Sequence, residues 1–186
     1  MDRREAVQYI SLLLGGTLVG ANSFLTGCKT KNEVSYTFTD EDIAFLNEVG
    51  ETILPATATP GAKAANVGEF MKVMVNDCYE EKDQKIFHEG ITNLQNESEK
   101  KLKTSFMQAT PEQRHDFLVA LNKEQKDYTS GKKADDPAHY FRMMKELTLL
   151  GYFTSEIGHT QARRHVPVPG KYEGCIPYKK GDKAFT

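Results

Sequence analysis

Tryptophan is missing altogether from this 186-residue chain, and cysteine occurs only three times. The first absence weighs against a carbohydrate-binding module, which offers flat aromatic platforms to sugar rings, although eight tyrosines soften the objection. An excess of charge is missing too: the formal net charge is −2. There is no basic surplus to draw the chain to nucleic acid and no acidic run of the kind that forms a solvating tail. No segment offers the roughly 20 consecutive apolar residues that a comfortable membrane-spanning helix needs. Strict apolar–polar alternation is also absent, so no substantial sheet is expected. The common fingerprints of chemistry do not occur: no GxGxxG, no P-loop, no HExxH, no GxSxG, no CxxC or CxxCH. The chain therefore has no recognisable site of its own for flavin, nicotinamide, haem or an iron–sulfur cluster, and it is not expected to be catalytic alone.

What is present is a globular composition, with 39% hydrophobic and 27% charged residues. The first 28 residues read MDRREAVQYISLLLGGTLVGANSFLTGC. A short charged head holds Arg3 and Arg4, and a mildly apolar stretch from Tyr9 to Ala21 is broken by glycines. That is the build of a cleavable export signal rather than a span. The arginine pair points to the twin-arginine route, which carries folded proteins, over the general secretory route. Leu25-Thr26-Gly27-Cys28 has the form of a bacterial lipobox, in which the cysteine sulfur takes the lipid. Residues 1–27 are thus expected to be removed, residues 28–37 to form a lipidated tether, and residues 38–186 to form one folded domain on the periplasmic side of a bacterial envelope membrane.

Helical periodicity runs through that domain. Thr39 caps a first helix with Asp40, Glu41 and Asp42 in its first turn, Phe38 and Ile43 stand at the positions of a hydrophobic staple, and Pro55 ends it. A loop over residues 55–66 leads to Asn66, read as the cap of a second helix with Glu69 at the capping-box position. Val67, Phe70, Met71, Met74, Val75 and Cys78 form its apolar stripe. A third helix is expected from about Lys82 to Lys101, and Thr110-Pro111-Glu112-Gln113 is a strong start signal for a fourth. Residues 127–135 read as a polar loop, and Asp136-Pro137 as the opening of the last helix. From Gly158 onward the chain loses its period and becomes rich in proline and glycine. The expected fold is all-α: a single compact bundle of about five helices, with a long irregular C-terminal tail lying over it, functional by virtue of its length.

Few residues carry chemistry. Cys78 and Cys175 make an even pair that an oxidising compartment could join; sequence gives no distance, so a disulfide and two separate thiols, one of them buried in the helix stripe, both stand. His159, His165 and Cys175 fit no common metal-ligand spacing, and solvated tail histidines are the expectation. His88 and His115 read as helix-surface residues and His139 as a first-turn residue. Arg163-Arg164 with His165 makes a small basic spot, either a solvated turn or a contact to an acidic partner. The aromatic pairs Tyr140-Phe141 and Tyr152-Phe153 flank the last helix. Helix neighbours face different ways, so one of each pair can enter the core and leave the other for an interface.

The segment PAHYFRMMKELTLLGYFTSEIG, residues 137–158, resembles the gluconate 2-dehydrogenase subunit 3 family. So do Ile53-Leu54-Pro55 with Thr59-Pro60-Gly61-Ala62 and Val67-Gly68-Glu69-Phe70, and the tail Pro169-Gly170-Lys171-Tyr172 with Gly174-Cys175. The resemblance implies a small accessory subunit beside a large flavoprotein of the glucose–methanol–choline type, which holds FAD and oxidises a sugar or sugar acid. A multihaem cytochrome c often completes such complexes. It further implies help with export of a signal-less catalytic subunit. A lipid site departs from the family pattern and would let this chain tether the flavoprotein itself. The alternative is a free-standing envelope lipoprotein that serves as a binding module.

Overall fold

The computed structural model describes residues 36–168 and 170–185. Arg3, Arg4 and Cys28, and with them the export signal and lipid site, lie outside the described residues. Five α-helices make the body: α1 (Asp40–Ile53), α2 (Val67–Cys78), α3 (Glu81–Leu102), α4 (Pro111–Gly131) and α5 (Tyr140–Thr154), followed by one π-helical turn, Gly158–Ala162. Among the described residues there is no strand, only an isolated bridge between Arg164 and Phe185. The fold class expected from periodicity is the one found. Among the described residues no helix is long and apolar enough to cross a membrane.

Local sequence sets most helix ends. Thr39 and Asp42 form a reciprocal capping box at the start of α1, with Asp42 N–H donating to Thr39 Oγ1 at 3.1 Å and Thr39 N–H to Asp42 Oδ2 at 3.0 Å. Thr110 and Gln113 do the same for α4, with Pro111 at the first helical position. Phe38 and Ile43, the expected staple residues, are both buried.

The start of α2 departs from expectation. Asn66 takes a left-handed conformation, φ 57°, and its side chain caps nothing. The orphan N–H of Gly68 donates instead to Asn47 Oδ1 on α1 at 2.9 Å, and Asn47 Nδ2 reaches Asn66 Oδ1 at 3.4 Å. A buried asparagine of one helix thus caps the next. The two backbones cross closely here: a Cβ on Gly68 would stand 2.5 Å from the Ile43 carbonyl oxygen.

Two further boundaries differ from the sequence reading. The polar stretch from Asp127 to Gly131 is helical, not loop. Thr129 and Ser130 turn their hydroxyls onto the carbonyls four residues back, at 2.8 and 2.7 Å, which satisfies them without breaking the helix. Asp136 stays in the preceding turn, accepting from Lys133 N–H at 2.8 Å, and α5 begins only at Tyr140.

Helix α5 is the centre of the bundle. It packs on α1, α2, α3, α4 and the π-helical turn alike. Phe141, Met143, Met144, Leu147 and Tyr152 from α5 join Leu46, Val49, Met71, Phe87, Leu94 and Leu121 in one core. The segment that carries the strongest family likeness is therefore the one every other helix leans on.

Candidate functional site

Four aromatic residues of the α5 region are the sequence-derived interface candidates, and the structure divides them. Phe141 and Tyr152 are 1% and 4% exposed and belong to the core. Tyr152 also donates its hydroxyl to the Pro60 carbonyl at 2.7 Å, tying α5 to the loop between α1 and α2. Tyr140 and Phe153 are half-buried. One member of each pair enters the core, as helical geometry requires, but the other is largely covered by this chain's own residues. The central position of α5 is the reason: few directions away from it are free.

Tyr140 sits in a corner between α3, α4 and α5. His139 is the N-cap of α5 rather than a first-turn residue, its Nδ1 accepting from Phe141 N–H at 3.2 Å. Its ring stacks on Tyr140 at 4.6 Å and meets the edge of Tyr128 at 5.6 Å. Burial pushes the His139 pKa down, against the nearby carboxylates Glu124 and Glu97. The neutral ring it favours is the one whose Nδ1 can accept the capping bond. Burial pushes the Tyr140 phenol well up, and its buried hydroxyl has no partner in the described structure. Tyr140→Phe should therefore raise stability by about 1 kcal/mol, measured by urea unfolding, because it removes a desolvated and unpaired group without changing shape. A loss of stability would mean that the hydroxyl has a partner in solution.

His88, expected on a helix surface, is half-buried. Phe38 and Tyr36 lie over it at ring distances of 4.2 and 5.1 Å, and burial lowers its pKa despite Asp42 nearby. His115 is exposed as expected. Cys78 and Cys175 are free thiols and both are exposed, so Cys78 lies off the apolar stripe assigned to it. Among the described residues no three His, Cys, Asp or Glu side chains gather as a metal site. His159 and His165 stack on each other at 5.7 Å.

The exposed aromatic surface lies after α5. Gly158 begins the π-helical turn, where any Cβ would run into the Tyr152 carbonyl oxygen. Its carbonyl accepts from Arg163 N–H at 2.9 Å, which places Arg163 over the face of Phe153 at 4.5 Å. Arg164 lies over Phe185 at 4.6 Å and donates its N–H to the Ala184 carbonyl at 2.8 Å. Lys183 Nζ donates to the Gln161 carbonyl. The chain end thus returns to the turn it left. Between these two points the tail does not lie down on the bundle as expected: every described residue from Gly170 to Phe185 is exposed. Tyr172 and Tyr178 are 95% and 75% exposed. A recess lined by Arg163, Arg164, Tyr178, Lys183 and Phe185, with Asp182 as its one carboxylate, opens at the base. Such an array of guanidinium, ammonium and phenol groups suits recognition of an acidic surface by charge and by aromatic contact.

Periodicity missed these tail aromatics because they lie where the period stops. The available signal was compositional: large aromatics retained in a segment with no helical face to bury them.

Residues 40–170 match the family model described as Gluconate 2-dehydrogenase subunit 3. No curated protein and no solved structure matches the chain.

Proposed function

We propose a function from one premise: the chain belongs to the gluconate 2-dehydrogenase subunit 3 family, whose model spans all five helices and the π-helical turn. The family description makes it a subunit of a dehydrogenase complex. In our reading it is the non-catalytic accessory subunit. The catalytic partner is an FAD-bearing flavoprotein of the glucose–methanol–choline type that oxidises a sugar or sugar acid, and a cytochrome c is the electron acceptor. The small subunit assists export and assembly of that partner and then tethers it to the membrane. The single observation that carries this reading is the family match.

The N-terminal sequence supports the finer roles. A partner that must fold around FAD before translocation needs a route for folded proteins, which the Arg3-Arg4 pair would supply. A lipid on Cys28 would hold the pair on the periplasmic face of the envelope, since several acyl chains anchor stably. The chain itself is read as carrying no cofactor.

The test is fractionation with a tag on the C-terminus. The wild-type chain should pellet with membranes and bring down a flavin-containing polypeptide after mild detergent extraction. Cys28→Ser should move both proteins into the soluble fraction together. A chain that pellets with no flavoprotein would leave the free-standing lipoprotein, and a Cys28→Ser variant that still resists salt washing from membranes would end the tether.

A further inference from the structure

We propose that the C-terminal segment from His165 to Lys183 is a docking loop that seats in an acid-rimmed groove on the catalytic subunit; the proposal rests on the accessory-subunit reading above. Three independent features of the segment lead there.

Its two ends are fixed. The Arg164 N–H to Ala184 carbonyl bond, the Arg164 guanidinium on the Phe185 ring and the Lys183 contact to Gln161 close the loop at its base. The base stands on the π-helical turn, and that turn stands on α5. A loop closed at its ends has already lost part of the freedom that binding would cost it.

Its apolar side chains are left largely to solvent. Val168, Tyr172, Ile176 and Tyr178 are 82%, 95%, 47% and 75% exposed. Isolated exposed apolar residues are ordinary, but a run of four within one loop is the composition of an interface core rather than of a solvated turn.

Its charge opposes that of the rest. From His165 to Lys183 it holds Lys171, Lys179, Lys180 and Lys183 against Glu173 and Asp182, and Arg163 and Arg164 stand at its base, in a chain whose formal net charge is −2. The rest of the chain is therefore acidic, and the loop is the basic feature that an acidic partner surface would select.

A basic, tyrosine-bearing loop could also meet an anionic membrane. The backbone argues against insertion into the bilayer. Between His165 and Tyr178 the described residues make no backbone–backbone hydrogen bond. Those amides and carbonyls cannot enter hydrocarbon unpaired, whereas a protein groove can supply their partners.

The experiment compares the tagged full-length wild type with Tyr172→Ser/Tyr178→Ser and, separately, with Lys179→Glu/Lys180→Glu. All three are extracted from membranes, and flavin bound per chain is read from absorbance. Affinity is then measured by titrating the stripped chain with the flavoprotein. All substituted side chains are exposed, so thermal melting of the isolated chain should not change. Loss of a tyrosine anchor typically weakens binding about tenfold, and both variants should fall by at least that factor. Weakening should grow with salt for the wild type and less for the lysine variant. Variants that retain flavin at the wild-type level and affinity would overturn the docking loop while leaving the accessory-subunit reading intact. A wild type that captures no flavoprotein would overturn both. Variants that keep the partner but lose binding to phosphatidylglycerol-containing vesicles would assign the loop to the membrane and overturn the proposal.

Discussion

Gly68→Val is expected to lower stability by roughly 3 kcal/mol or more, the largest effect of any exchange of a single side chain discussed for the helical body. The α1–α2 crossing leaves no room at this position: a Cβ would stand 2.5 Å from the Ile43 carbonyl oxygen, which belongs to a helix backbone and cannot swing aside. It would also press to 3.1 Å on the Asn47 amide. Asn47 is buried and is the cap that satisfies the Gly68 N–H, so forcing the helices apart leaves two buried polar groups unpaired as well as opening the packing. For a domain of this size the cost corresponds to a fall in Tm of about 10 °C. Thermal melting by circular dichroism checks it. Asn47→Ala should lose only the capping part, about 1–2 kcal/mol, so the two variants separate steric crowding from capping. A Gly68→Val protein that melts with the wild type would show that the crossing is wider in solution.

Arg114→Met should cost about 2–3 kcal/mol and should change how stability depends on pH. Arg114 reaches Glu48 on α1 through one terminal nitrogen. Its Nε donates to the Ala109 carbonyl at 3.0 Å and its other terminal nitrogen to the Met107 carbonyl at 2.8 Å. Its guanidinium also lies over Phe106 at 5.6 Å. One side chain thus ties the connection between α3 and α4 to α1, and both it and Glu48 are about 15% exposed at the side chain. Burial pushes the Glu48 carboxyl up, but its bonds to Lys63 and Arg114 and their charges outweigh this and hold it below its ordinary value. A carboxyl with a depressed folded pKa contributes stability that is complete above its unfolded pKa, near 4.5, and is lost as pH falls through the folded value. Wild-type stability should therefore drop on acidification below about 4.5 more steeply than that of Arg114→Met, in which only Lys63 remains on Glu48. Urea unfolding across pH 3 to 7 measures the two curves. Parallel curves would mean that Arg114 does not hold the Glu48 proton off.

The helices and their caps were legible wherever the controlling group lies within a few residues. The Thr39 cap and the Thr110–Gln113 box could be read directly because their partners are local. The start of α2 could not, because its cap is Asn47, 21 residues away, and sequence does not announce a tertiary partner. The C-terminal turn of α4 was hidden by polarity. Residues 127–131 look like a loop, yet Tyr128 holds the Pro137 carbonyl at 3.0 Å and packs near His139, which fixes the extra turn from outside the helix. The candidate interface on α5 suffered from a related blindness. Periodicity says which residues share a face but not how many neighbours a helix has, and α5 is surrounded, so its aromatics pack inward. The exposed tyrosines Tyr172 and Tyr178 lie in the segment where periodicity says nothing.

The central place of α5 also sets an order of events during synthesis. The first four helices leave the ribosome before the one that all of them share, so their apolar faces have no common partner until residue 154 has emerged. Completion of the core waits for the last helix, and the closed C-terminal loop can form only after that. A chain truncated before Tyr140 and released would display its unmatched faces to chaperones and proteases, whereas one released with its last residue just past Ala162 would already hold the whole bundle.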